Sequence, residues 1–121
     1  MHNILSRSAF AGAFAGALLA TLNLMACSET PRELSLQLLA SEQSSVDGHL
    51  VITQGVVRSF DDPLHYWLED DSLNRVALSP DDVVADYVGE FVEVHGRFHA
   101  DRERGRRIEV AQIERTGQGT P

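Results

Sequence analysis

The segment Phe91-Val92-Glu93-Val94-His95-Gly96-Arg97-Phe98-His99 constrains the fold more than any other stretch of the chain. Val92, Val94 and Phe98 fall on one face, and Glu93, His95, Arg97 and His99 on the other. That period of two is the signature of a half-buried strand. Gly96 stands on the apolar face, where a glycine marks a bulge or the bend of a barrel. The stretch Val51 to Val57 carries the same device in Gly55.

The remaining elements fall into place around these two strands. Asp61-Asp62-Pro63 is a turn, His65 to Glu69 a second strand, and Asp70-Asp71-Ser72 the next turn. Arg75 to Leu78 is a third strand. Ser79-Pro80-Asp81-Asp82 opens a short helix, with Pro80 expected at its first position and two acids near the positive end of its dipole. Gly105 turns the chain again, and Ile108-Glu109-Val110 with Ile113 makes the last strand. Upstream, Thr30-Pro31-Arg32-Glu33 has the form of a capping box and predicts a helix carrying Leu34, Leu36, Leu38 and Leu39. A strand competes there, because Leu34, Leu36 and Leu38 also alternate with polar residues.

Three strands, a short helix and two more strands is the order of the oligonucleotide/oligosaccharide-binding (OB) fold. The pieces Gln54-Gly55-Val56-Val57, Tyr66 to Asp70, Val88 to Phe98 and Gly105 to Val110 resemble small bacterial OB-fold proteins, periplasmic ones included. The resemblance implies a mainly β, five-stranded barrel with the helix plugging it between strands three and four. It says little about activity, since this fold hosts many unrelated functions.

The first residues read differently. Ala9 to Leu24 is an apolar run after a short segment carrying Arg7, too brief for a comfortable bilayer span of about 20 residues. It fits a secretory leader. It ends in Leu24-Met25-Ala26-Cys27, which resembles the lipobox of bacterial lipoproteins. The resemblance implies cleavage between Ala26 and Cys27, acylation of Cys27, and, with Ser28 in place of Asp, an outer-membrane location facing the periplasm. The competing readings are an ordinary leader with an incidental cysteine, or an uncleaved anchor. The short apolar run and the placement of the only cysteine favour the lipobox. The expected organisation is a leader over 1–26, a lipid tether with a short helix over 27–45, the OB domain over 46–116 and a flexible tail over 117–121.

Charge narrows the function. The chain has no lysine, and 10 arginines face 18 acids for a net charge of −8. Loss of the leader removes Arg7 and no acid. Such a balance disfavours nucleic acid, which is bound by displacing counterions with positive charge. No catalytic, cofactor or phosphate-loop motif is present, so an enzyme is not expected. His65, His95 and His99 suggest a metal site only weakly; with Glu93 and Arg97 beside the latter two, a solvated outer face accounts for them. The acid pairs are turn and cap chemistry. The densest chemistry is Arg102-Glu103-Arg104-Gly105-Arg106-Arg107, in the loop between strands four and five that commonly contacts ligands in OB folds. Bidentate arginines grip carboxylates or phosphates. Arg58, His65, Trp67, Arg75, Arg102, Arg104, Arg106 and Arg107 are therefore the candidate ligand-binding residues. Against them stand local acids that the arginines could merely neutralise. The expected role is a membrane-tethered binding module for a protein partner or envelope polymer. A single-stranded nucleic-acid or oligosaccharide binder and a purely structural envelope component are the alternatives.

Overall fold

The computed structural model describes residues 28–117. The leader, Ala26, Cys27 and residues 118–121 lie outside the described residues, as does the lipobox.

The described chain runs through β1 (Arg32–Glu33), α1 (Leu36–Ser41), α2 (Gln43–Val46), β2 (Leu50–Asp61), β3 (Leu64–Glu69), β4 (Arg75–Ser79), α3 (Asp81–Val84), β5 (Phe91–Asp101) and β6 (Gly105–Arg115). Neighbouring strands follow the order β2-β3-β4-β6-β5, and a further β2–β5 pairing closes the ring. β4 and β6 run parallel, while the other ring pairs are antiparallel. This is the five-stranded OB barrel that the order of elements predicts. β2 is long because it serves two partners, pairing with β5 through Leu50–Val56 and with β3 through Val56–Asp61.

Alternation holds where it was expected. Val51, Val57, Leu68, Val76, Val92, Val94, Phe98 and Ile108 point inward and are buried. Gly96 lies at a register shift between β5 and β6, where His95 pairs with Gln112 but Gly96 pairs with Val110. Ala111 is the extra residue of this bulge. α3 sends Val84 into the core and packs against β3, β4 and β6. Its N-cap is Pro80, so the proline sits one position earlier than the helix-start reading placed it.

The N-terminal segment departs from expectation. Thr30 does not cap a helix, and Glu33 closes no capping box. Instead Arg32 and Glu33 pair in parallel with Val51 and Ile52 of β2, and the Leu34 N–H donates to the Ile52 carbonyl at 3.0 Å. Backbone groups along the first half of β2 gain partners this way, and that pairing outweighs a local cap. Ser35 takes over as the N-cap, its side chain accepting from the Leu38 N–H at 3.1 Å. The helix therefore turns Leu36 and Leu39 inward and leaves Leu38 partly exposed. Full burial of each leucine is worth roughly 1.5–3 kcal/mol, so α1 is a working part of the core.

Candidate functional site

The outward residues of β2, β3 and β4 bring aromatic and cationic side chains together on one face. Alternation that turns Val57 and Leu68 inward must turn Arg58, Phe60, His65, Trp67 and Glu69 outward. Register then sets them side by side, Arg58 opposite Trp67, Phe60 opposite His65 and Glu69 opposite Arg75. Rings follow one another across this face, with centroids 6.0 Å apart for Phe60–His65 and 5.2 Å for His65–Trp67. Arg75 lies over the Trp67 ring at 5.4 Å, within cation–π range.

Glu69 organises the group. Its Oε1 accepts from Arg58 Nε at 3.3 Å, and its Oε2 from Arg75 Nε at 2.6 Å and Trp67 Nε1 at 3.4 Å. The carboxylate is nearly buried, whereas the Arg58 and Arg75 side chains remain 51% and 55% exposed. Each guanidinium engages Glu69 through Nε alone, so its Nη groups have no hydrogen-bond partner among the described residues. Two oriented, half-exposed forks thus stand beside the rings. The His65 Nδ1–H donates to the Pro63 carbonyl at 2.8 Å, which fixes the orientation of the ring.

Burial pushes the Glu69 carboxyl up, but the hydrogen bonds from Arg75, Trp67 and Arg58 outweigh it and hold the group below its ordinary 4.5. A depressed folded value means that the stabilisation is complete above the unfolded value and disappears as pH falls through the folded one. Glu69→Gln is therefore expected to cost roughly 1.5–3 kcal/mol near neutral pH, the worth of charge-assisted hydrogen bonds. Urea melts should show wild type and variant converging once acid has protonated Glu69. A gap that persists in strong acid would assign the loss to packing instead.

The arginine-rich hairpin does not converge on this face as a unit. Arg106 donates Nε and Nη2 to the Arg75 carbonyl at 3.3 and 3.1 Å, bracing the end of β4 beneath the site. Arg107 pairs with Asp101 at 3.1 Å, although its register partner Ala77 adjoins Trp67. The Arg104 backbone N–H and then the Arg107 guanidinium hold Asp101 below the usual carboxylate range. Arg102 and Arg104 stay at the exposed tip, Arg102 beside Gln43 and Ser44 of α2. Of the candidates, Arg58, His65, Trp67 and Arg75 are brought together, Arg106 and Arg107 lie behind and beside them, and Arg102 and Arg104 lie apart.

Phe60 belongs to the site although the sequence reading ended its strand at Val57. The outward phase of Arg58 continues to Phe60, which is the signal that would have found it. The three histidines do not meet. His65 is on β3, His95 bonds Glu93 at 2.8 Å, and His99 approaches Glu109 at 3.6 Å.

No family model matches the chain, and no curated protein is significantly similar to it in sequence. Among solved structures, the hypothetical protein ygiW from E. coli aligns over 74% of this chain and all of its own, with 22% identity and a TM-score of 0.49. A chain described as an aspartyl-tRNA synthetase from Leishmania major aligns over 75% of this chain and 22% of its own, with 11% identity and a TM-score of 0.49. The assignment of the OB barrel rests on its own strand order and closure.

Proposed function

We propose that this chain is a lipid-anchored envelope protein whose barrel binds an extended segment of a protein partner or envelope polymer across the outer face of β2, β3 and β4. The observation that carries the reading is the ladder Phe60–His65–Trp67, its first two rings exposed and Trp67 half-buried, flanked by two guanidiniums that one buried carboxylate orients. The rings supply flat apolar contact, and preoriented forks donate to a carboxylate or phosphate with little ordering cost. Such a surface recognises a chain that alternates apolar or ring-bearing units with acidic groups. Asp61 and Asp62 at the adjoining hairpin tip repel a continuous polyanion, which disfavours single-stranded nucleic acid.

Trp67 is the only tryptophan, so its fluorescence reports on this face alone. Titration with acidic, aromatic-containing peptides is expected to change that emission saturably. Arg58→Ala and Arg75→Ala should each weaken binding about tenfold, a typical loss for a charge-assisted contact, whereas Arg102→Ala and Arg104→Ala should change it little. A photo-crosslinker at Ala77, exposed beside Trp67, then identifies the partner in intact cells. Absence of any saturable response, or equal sensitivity to Arg102 and Arg104, defeats the reading. Tighter, salt-sensitive binding of single-stranded oligonucleotides would move it to the nucleic-acid alternative.

A further inference from the structure

The opposite side of the ring, formed by β5 and β6, carries a different chemistry. Glu93 and His95 are alternate outward residues of β5, and Glu114 of β6 is the direct register partner of Glu93. One carboxylate oxygen from each glutamate and one imidazole nitrogen lie within 4.8 Å of one another. Glu93 and His95 are half-buried, with side chains 24% and 27% exposed.

This convergence depends on the bulge at Ala111. Glu109 faces outward opposite Arg97, so regular alternation along β6 would turn Gln112 and Glu114 inward and Ile113 outward. The extra residue reverses the phase. Ile113 now packs against the core, and Glu114 stands beside Glu93 on the surface. Bulges commonly re-aim side chains in this way beside functional sites.

Charge sets the cluster apart from the arginine–carboxylate pairs of the described residues. Glu29, Glu69, Glu90 and Asp101 each hold an arginine. Glu93 and Glu114 are like charges placed directly opposite, an arrangement that opposes strand pairing, and the basic side chain that the described residues place beside them is His95. Gln54 of β2 donates Nε2 to Glu93 Oε1 at 3.3 Å, fixing that carboxylate and leaving its other oxygen with His95. Outer partners of this kind orient metal ligands.

We propose that Glu93, His95 and Glu114 form a binding site for a single divalent zinc-class ion. Two carboxylate oxygens and one imidazole nitrogen suit zinc, with water as the fourth ligand. Bonds of about 2.0–2.2 Å place two donors at most roughly 4.4 Å apart, so small side-chain rotations close the set. The ion neutralises the Glu93–Glu114 pair and clips β5 to β6 just beyond the bulge. This site shares no residue with the ring-and-arginine face and stands or falls independently of it.

The test uses the whole chain in detergent, stripped with a chelator and titrated with zinc by calorimetry. One saturable ion per chain is expected, accompanied by a rise in melting temperature. Glu114→Gln, which keeps the shape of the side chain and relieves the like-charge contact, should fold as well as wild type in the absence of metal. Its zinc affinity should fall at least tenfold, as should that of His95→Ala. His65→Ala and His99→Ala should bind zinc like wild type. No saturable binding by the wild type, or unchanged affinity in both Glu114→Gln and His95→Ala, overturns the proposal.

Discussion

Gly96→Ala is expected to lower the melting temperature by roughly 12–24 °C, or to prevent folding altogether. A Cβ at this position would press into the carbonyl oxygen of Glu109 and lie 2.8 Å from Ile108 Cγ2 and 3.0 Å from the Glu109 carbonyl carbon. Two of these contacts are backbone atoms of β6, paired to β5 on both sides of the bulge, so they cannot rotate away. Forcing extra volume into a packed interior costs about 1–3 kcal/mol. A backbone clash belongs at or above the top of that range. At about 4–8 °C per kcal/mol for a domain of this size, roughly 3 kcal/mol gives the stated shift. Gly55→Ala supplies a graded comparison. Its Cβ meets the Glu69 carbonyl oxygen at 2.8 Å, but its other contacts, Leu36 Cδ1 and Leu68 Cγ at 3.0 Å, are side-chain atoms and not backbone. A smaller loss is expected there. Thermal melts followed by circular dichroism and Trp67 emission decide the matter. A Gly96→Ala barrel melting within a few degrees of wild type would show that the β5–β6 bulge is not the fixed point of the fold.

The same two glycines explain why the architecture was legible. A glycine at an inward position of a strand is hard to justify except by close approach, and both positions have it: Gly55 against β3, Gly96 against β6. Turn residues and alternation then bounded the other strands. Legibility failed where tertiary pairing overrode a local signal. Thr30-Pro31-Arg32-Glu33 is chemically a good helix start, but unpaired groups along β2 claimed Arg32 and Glu33 as a parallel strand. The phase slip from Ile108 and Val110 to Ile113 was written in the sequence as a break of period two. Without the partner strand it could not be seen as a bulge that returns Glu114 to the surface.

The candidate site was half legible for a related reason. Arg58, His65, Trp67 and Arg75 follow from alternation, which assigns each to an outer face. Their convergence on Glu69 is a product of register across three strands, which spacing within any one strand does not contain. The arginine-rich hairpin misled by density. Consecutive residues of a strand point to opposite sides, so Arg106 and Arg107 were bound to separate, and local acceptors at Arg75 and Asp101 took them up.

Cys27→Ser is expected to move the protein from the membrane fraction to the soluble fraction, and here structure adds a constraint that the lipobox alone lacks. A single acyl chain binds membranes marginally, while two or more hold a protein firmly at about 0.8 kcal/mol per buried methylene. On the lipid-anchored reading proposed above, removing the cysteine therefore removes the whole anchor and not a fraction of it. Beyond it, one residue separates Cys27 from the first contact with the barrel. Glu29 accepts from the Leu50 N–H at 3.3 Å and from Arg97 Nη1 at 3.2 Å, and its carboxyl is held below the ordinary value, first by that backbone donor and then by the Arg97 guanidinium. A lipid on Cys27 would thus hold the barrel close against the bilayer, not on a long leash. Glu29→Gln should loosen this attachment yet leave the protein in the membrane fraction, because the proposed anchor is covalent. Cys27→Ser needs a second arm, since an unprocessed leader could itself retain the chain. Behind an ordinary cleavable leader, the variant should be fully soluble, with a mass matching residues 27–121. A processed Cys27→Ser chain that still sediments with membranes would exclude the lipid as the anchor and would place the attachment in the barrel itself.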